Sequence, residues 1–296
     1  MDIALTLVVN PEYDTSLEFA EKTARDCLKG HALTSKTLAE NNALDLLFEA
    51  ADTADLNRQC NSLHTLKGLD WALQPAQDRK KKLILADMDS TIITVECIDE
   101  LADFMGLKQE VSQITEAAMR GELDFEGALT ERVALLKGLT EAQLKSCYDD
   151  RIELMSGARA LVQTMKAHGA YAALVSGGFT YFTARIADSV GFDMHRANRL
   201  VISDGILTGE VIAPICGAQT KLDTLNELSR AHGLQESNIL AVGDGANDIP
   251  MLQAASLGVA YRAHPKTRAA AGAAIKYGDL TTLLYFQGYR SDEITA

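Results

Sequence analysis

Three short runs and one isolated lysine carry the groups that could do chemistry. The first is Leu83-Ile-Leu-Ala-Asp-Met-Asp-Ser-Thr, in which an apolar tetrapeptide delivers two carboxylates, Asp87 and Asp89, with two hydroxyls directly after them. Two acids one residue apart repel each other and gain nothing from burial, unless a divalent cation with hard oxygen ligands takes up their charge. In the second run, Ala172 to Val175 lead into Ser176-Gly177-Gly178, a hydroxyl and unhindered backbone N–H groups suited to an anion such as phosphate. In the third, Ile239 to Val242 lead into Gly243-Asp244-Gly245-Ala246-Asn247-Asp248. Two acids, an amide and two glycines after an apolar strand fit a second cation-binding turn better than a plain loop. Lys221, between the second and third runs, adds an ammonium.

Taken singly, each feature has a plain alternative. An acidic turn can simply face solvent, glycine pairs after strands are common, and most lysines are solvated. Together they are the parts that phosphoryl transfer needs, because its catalysis is mostly positioning and charge neutralisation. A phosphate dianion will not approach a carboxylate nucleophile unaided. A cation between the two, with a lysine on the phosphate oxygens, removes the repulsion and stabilises charge on the transferring group.

The elements that must position these groups follow from periodicity and turn residues. Residues 3 to 9 read as a strand, Leu17 to Leu28 as a helix ended by Gly30, Ser35 to Leu38 and Ala43 to Glu49 as strands, Asp52 to about Leu63 as a helix, and Trp71 to Leu73 as a strand. The order β-α-β-β-α-β is that of a ferredoxin-like α+β sandwich. It resembles the small amino-acid-binding modules called ACT domains. Gln74 to Lys82 is polar and contains Pro75, which places a boundary there, and its basic end, Arg79 to Lys82, reads as a solvated linker.

Leu83 to Ala86 is short and wholly apolar, as in a strand of a parallel sheet buried on both faces. After Glu96 the texture turns helical: Asp99 to Phe104, Val111 to Met119, Phe125 to Leu136 and Glu141 to Tyr148, with breaks at Gly106, Gly121 and Gly138. A helical block inserted over the C-terminal end of a strand is a lid. The α/β rhythm resumes with a helix at Ala158 to His168, a hairpin signal at Asp204-Gly205, a helix from Lys221 to about His232, a short strand at Leu257 to Ala260 and a terminal one near Ile275. The expected fold is α/β, a Rossmann-like core with a parallel sheet, a helical cap inserted after the first core strand and a small N-terminal α+β domain. The expected boundaries are 1–76 for the N-terminal domain, 80–97 with 156–296 for the core, and 98–155 for the cap.

Composition narrows the function classes. The chain has 296 residues, 47% hydrophobic and 23% charged, which is globular and long enough for two domains. With 28 Lys and Arg against 41 Asp and Glu, the formal charge of −13 disfavours nucleic acid and anionic membrane as partners. Five cysteines, odd in number and without a CxxC pair, argue for reduced thiols and a cytoplasmic protein rather than a disulfide frame or zinc site. The N-terminus shows no signal-peptide pattern, and no apolar run has membrane-spanning length.

The four motifs Asp87-Met-Asp-Ser-Thr, Ser176-Gly-Gly, Lys221 and Gly243-Asp-Gly-Ala-Asn-Asp, in this order, resemble those of the haloacid dehalogenase superfamily, and the finer pattern is similar to its phosphoserine phosphatase branch. The resemblance covers roughly residues 80 to 285. It implies that Asp87 is a nucleophile forming an aspartyl-phosphate and that Asp89 serves as acid and then base. It also implies that Mg²⁺ is held by the Asp87 carboxylate, the backbone carbonyl of Asp89 and the Asp244 carboxylate, with Asp248 behind them. Ser176, Gly177, Lys221 and Asn247 would hold the phosphate. Glu96 and Arg132 would take the ammonium and carboxylate of O-phospho-L-serine, under the apolar lid residues Met119 and Phe125. The implied activity is hydrolysis of phosphoserine to serine, the last step of serine biosynthesis. Transfer of the phosphoryl group to another amino-acid hydroxyl, such as that of homoserine, is the alternative enzyme reading. An amino-acid-sensing module with a vestigial catalytic half is the alternative of another class. The N-terminal domain is read as a structural or dimerising unit, or as one that binds an amino-acid effector.

Overall fold

The computed structural model describes residues 1–51, 54–119 and 123–295, without side-chain description for residues 54 and 116–119. The N-terminal elements are β1 (Asp2–Val9), α1 (Leu17–Cys27), β2 (Thr34–Ala39), β3 (Ala43–Glu49), α2 (Ala54–Gln59), which runs on into a 3₁₀ turn, and β4 (Leu69–Pro75). β1 pairs antiparallel with both β3 and β4, and β2 pairs with β3, the sheet order of a ferredoxin-like sandwich. Ser16 caps α1 by accepting from the Phe19 N–H.

The core opens with β5 (Leu83–Ala86), continues through the four helices α3 (Cys97–Phe104), α4 (Lys108–Met119), α5 (Phe125–Leu135) and α6 (Glu141–Arg151), and returns with α7 (Ala158–Ala167). Then follow β6 (Tyr171–Phe179), α8 (Thr180–Val190), the hairpin β7 (Met194–Ser203) and β8 (Ile206–Ile212), and α9 (Ala218–Ala231). β9 (Ile239–Gly243), α10 (Ile249–Ala254), β10 (Leu257–Tyr261), α11 (Pro265–Ala270), β11 (Ala273–Ile275) and α12 (Thr282–Phe286) complete it. β5 lies between β6 and β9, parallel to both, and all four of its side chains are buried, which is why it reads as an unbroken apolar run.

The strand order β11-β10-β9-β5-β6-β7 means the chain leaves β5 in one direction through β6 and β7 and later comes back on its other side through β9 to β11. That reversal opens a crevice at the C-terminal ends of β5 and β9, where open α/β sheets bind ligands. The four helices α3 to α6 are inserted directly after β5, and α3, α4 and α5 line that crevice. Asp124 caps α5 by accepting from the Gly127 N–H, and Thr140 and Gln143 form a capping box on α6. The Asp124 cap fixes where Phe125 enters the lid.

The sheet is continuous across the two parts, through an antiparallel bridge between Trp71 of β4 and Ala274 of β11. Arg79 and Lys81 depart from the solvated linker expected of the basic run. Arg79 is only 8% exposed, donates to both Asp45 oxygens at 2.7 and 2.9 Å, and also bonds Thr6 Oγ1 at 2.7 Å and the Phe286 carbonyl at 3.0 Å. A guanidinium fork satisfied on so many sides clasps β1 and β3 to the end of α12. Lys81 is buried as well and donates to the carbonyls of Asp78 and Ser237, and burial lowers its pKa to about 8. Amphipathicity does not report such a role, because the charge is neutralised by residues distant in the chain.

Candidate active site

The crevice holds the three runs. β5 ends one residue before Asp87 and β9 ends one residue before Asp244, so the two strand tips present their acids side by side. Carboxylate oxygens of Asp87, Asp244 and Asp248 lie within 4.8 Å of one another. Lys221 Nζ sits 2.7 Å from Asp87 Oδ1 and 2.6 Å from Asp248 Oδ1, and is fully buried. Gly243 is required where it stands, since a Cβ there would overlap the Asp248 carboxylate.

The electrostatics follow from this packing. Burial, with Asp248 beside it, pushes the Asp87 carboxyl well above the usual range, and Lys221 only partly offsets this. Burial and Asp248 raise Asp244 to about 6, against the hydrogen bond it accepts from Thr91 Oγ1 at 2.9 Å. Burial alone would lower the pKa of Lys221, but the Asp248 and Asp87 carboxylates outweigh it and keep the ammonium protonated. When ionised, the three carboxylates carry two more negative charges than the Lys221 ammonium offsets, and the groups left to ligate an ion are all oxygens. That donor set fits a hard divalent cation such as Mg²⁺. Asp248 has Oδ1 on Lys221 and Oδ2 accepting from the Gly245 N–H at 2.9 Å, which leaves Asp87 and Asp244 better disposed to hold the ion.

Asp89 is oriented from two sides. Its Oδ1 accepts from the Cys97 N–H at 2.9 Å, at the start of α3, and its Oδ2 from Ser176 Oγ at 2.9 Å. Ser90 holds a left-handed backbone, φ 54°, rare for a non-glycine residue, and its Oγ donates to Glu96 Oε1 at 2.7 Å. Burial among protein atoms and the Asp89 charge raise Glu96 to about 7, although its side chain remains accessible from the cavity.

Ser176-Gly177-Gly178 is the irregular end of β6 rather than a turn after a shorter strand, because β6 runs on to Phe179 with a register shift against β7 after Val175. The Gly178 N–H donates to Ser176 Oγ at 2.8 Å, and a Cβ at Gly178 would lie 2.5 Å from Asp89 Oδ2, so only glycine lets the strand approach that closely. α9 begins at Ala218, three residues before the expected start, which puts Lys221 in its first turn with the side chain aimed inward.

A cavity of about 630 Å³ joins these groups. Asp87, Asp89, Ser176, Gly177, Asp244 and Asn247 line one side, and Glu96, Phe125 and Arg132 line the lid side. The Phe125 ring lies over the backbones of Gly177 and Gly217, close enough that a Cβ at Gly177 would be 3.1 Å from Cζ. Arg132 donates through Nε to the Ala128 carbonyl at 3.2 Å. Lys221 reaches the site from beneath, through its bonds to Asp87 and Asp248. The side chain of Met119 and the break expected at Gly121 lie outside the described residues.

Sequence reasoning missed Asn198 of β7. It is 1% exposed, its Nδ2 donates to the Gly177 carbonyl at 2.8 Å and the Cys216 carbonyl at 3.3 Å, and its Oδ1 accepts from the Cys216 N–H at 2.7 Å. It ties the anion cradle to the segment that launches α9. A lone asparagine in a strand has no signal of its own; only a polar residue at an inward position of β7 marked it.

A switch-point crevice with converging acids, a buried lysine and a glycine-rich strand end, under a helical lid, defines a class of hydrolytic phosphoryl-transfer enzyme. Residues 84–253 match the family model for haloacid dehalogenase-like hydrolases. The chain belongs to this family, as an enzyme of its phosphatase class. It is 47% identical over 208 residues to a phosphoserine phosphatase of Albidiferax ferrireducens, covering 69% of this chain and 88% of that one. It is 39% identical over 285 residues to a phosphoserine phosphatase of Vibrio cholerae, covering 91% and 87%. A solved structure described as a haloacid dehalogenase family hydrolase from Salmonella enterica serovar Typhi superposes with a TM-score of 0.85 at 29% identity, covering 96% of this chain and 98% of that one. Among the described residues no helix is long and apolar enough to cross a membrane.

Proposed function

We propose that the chain hydrolyses O-phospho-L-serine to L-serine and phosphate. The observation that carries this reading is the single cavity in which an acid–acid pair, an anion cradle and a second charged pair, Glu96 and Arg132, face one another. Phosphoserine has matching parts: a phosphate, an ammonium for Glu96 and a carboxylate for Arg132, which a guanidinium grips through two parallel hydrogen bonds. The phosphoserine phosphatases among the relatives support the same assignment. Transfer to another amino-acid hydroxyl and a vestigial sensing module gain no support from those relatives.

In this reading a carboxylate oxygen of Asp87 attacks phosphorus, and the bond from phosphorus to the serine oxygen breaks. Asp89, held by Cys97 and Ser176, gives its proton to the departing oxygen. It then takes a proton from the water that attacks the aspartyl-phosphate, which restores the Asp87 carboxylate. Lys221, Ser176, the Gly177 N–H and Asn247 neutralise and orient the phosphoryl oxygens. Mg²⁺, held by Asp87, Asp244 and the Asp89 carbonyl, would supply charge neutralisation between nucleophile and phosphate. Phe125 over Gly177 excludes water while the acyl-phosphate stands. The division into 1–76, 80–97 with 156–296, and 98–155 belongs to this proposal. A separate apolar cluster, drawn from residues between Ile3 and Leu69 and topped by Trp71 and Leu73, supports its first boundary.

Asp87→Asn is expected to abolish turnover while leaving the melting curve cooperative. Arg132→Ala is expected to cripple phosphoserine hydrolysis and largely spare an aryl phosphate, measured as kcat/KM on both substrates. Equal loss on both would remove the phosphoserine assignment and leave the phosphatase.

A further inference from the structure

Between the N-terminal module and the core lies a hollow of about 540 Å³ that no step of the proposed reaction uses. The core lines it with Arg262, Arg268 and Lys276, and the module with Asn10 and Tyr13. The Tyr13 and Tyr277 rings meet edge to face there, 4.9 Å between centroids. An adjoining hollow of about 380 Å³ shares Arg268 and Lys276 and extends to His64, Asp70 and Trp71. In a chain of formal charge −13, three cations gathered on one hollow run against the overall balance.

These cations are poorly neutralised. Arg262 Nη2 and Arg268 Nη1 bond carbonyl oxygens, those of Gly278 at 3.4 Å and Ala263 at 2.5 Å. Among the described residues, two carboxylates line the hollows. Asp70 is committed, since it accepts from the backbone N–H groups of Lys276, Tyr277 and Gly278 at 2.7, 3.1 and 2.7 Å. Glu12 is exposed on the wall of the larger hollow, which leaves one open carboxylate against three cations. The excess is felt nearby, where His64 is pushed down first by burial and then by Lys276. Arg262 also holds a left-handed backbone, φ 45°, uncommon for a non-glycine residue.

We propose that this hollow is a binding site for a small polyanion bearing two or more carboxylate or phosphate groups, seated between module and core. Guanidinium groups match both kinds of oxyanion, and Lys276 adds a point charge. The ligand would close the gap between the Asn10–Tyr13 segment and α11. The site is separate from the catalytic cavity and does not depend on the phosphoserine assignment.

Calorimetric titration of the full chain in metal-free, low-salt buffer tests it, with citrate in one arm and pyrophosphate in the other to separate carboxylate from phosphate preference. At least one arm should show about one site per chain. Arg268→Gln with Lys276→Gln should weaken that binding at least about tenfold, while Ser176→Ala, which alters the catalytic cradle, should leave it within about twofold. Thermal melts check that the double variant is folded, and the single variant Lys276→Gln carries the comparison if it is not. Failure of both anions to bind would overturn the proposal. So would binding that survives the double variant, or binding lost in Ser176→Ala.

Discussion

Removing the Asn198 side chain tests whether the anion cradle and the lysine helix are held together from behind. Asn198→Ala deletes two donated hydrogen bonds and one accepted one at a position 1% exposed, and leaves the Cys216 N–H facing a void. A buried backbone group left unpaired costs about 1–3 kcal/mol, and water can re-pair only part of the loss, so the net destabilisation is about 3 kcal/mol. For a chain of this size that is a fall in Tm of roughly 6–12 °C. Activity should fall further than stability at temperatures where the variant is folded. Gly177 and the start of α9 are then free to drift relative to each other, and a misplacement of about 1 Å costs roughly a hundredfold. The expected result is a loss of about 10- to 100-fold in kcat/KM at 25 °C. Asn198→Asp separates the causes, because it keeps the acceptor for Cys216 but turns a carboxylate toward the carbonyls of Gly177 and Cys216. It should be as damaging as alanine despite its unchanged size. A lowered Tm with kcat/KM within twofold of the parent would refute the positioning argument and leave Asn198 a packing residue.

Three further outcomes follow from the geometry. Mg²⁺ at about 100 times its Kd should raise stability by about 2.7 kcal/mol, seen in thermal melts. Asp244→Asn should abolish that rise, and EDTA should stop turnover. Glu96, raised to about 7 first by burial and then by Asp89, binds more protons in the folded than in the unfolded chain between about pH 4 and 7. Its contribution therefore falls as pH rises through that window, and Glu96→Gln should flatten that part of the stability profile. If the carboxylate holds the substrate ammonium, KM for phosphoserine should climb as pH drops below about 7. Arg79→Ala should cost about 3–5 kcal/mol in denaturant melts by stranding the buried Asp45 carboxylate, and Asp45→Asn added to Arg79→Met should recover part of it.

The α/β core, the inserted helices and the reactive strand ends were legible in the chain itself, because each rests on local chemistry. A wholly apolar tetrapeptide before Asp87 is short enough to read as a strand covered on both faces, and glycines beside Ser176 and Asp244 mark places where backbone must come close to something. Motif residues far apart in the chain, such as Asp87 and Lys221, were associated by chemical need and by the family resemblance of their order, not by local pattern. What only the tertiary structure decided is how charges are shared. The strand order brings the Asp87, Asp244 and Asp248 carboxylates within 4.8 Å of one another and puts Lys221 between two of them. It buries Arg79, which local polarity marks as a solvated linker residue, and gives Asn198 a role invisible in its own strand. The physical reason is the same in each case. A polar side chain is tolerated inside only when partners from distant segments satisfy it, and those partners are specified by the packing of the whole chain rather than by its neighbours.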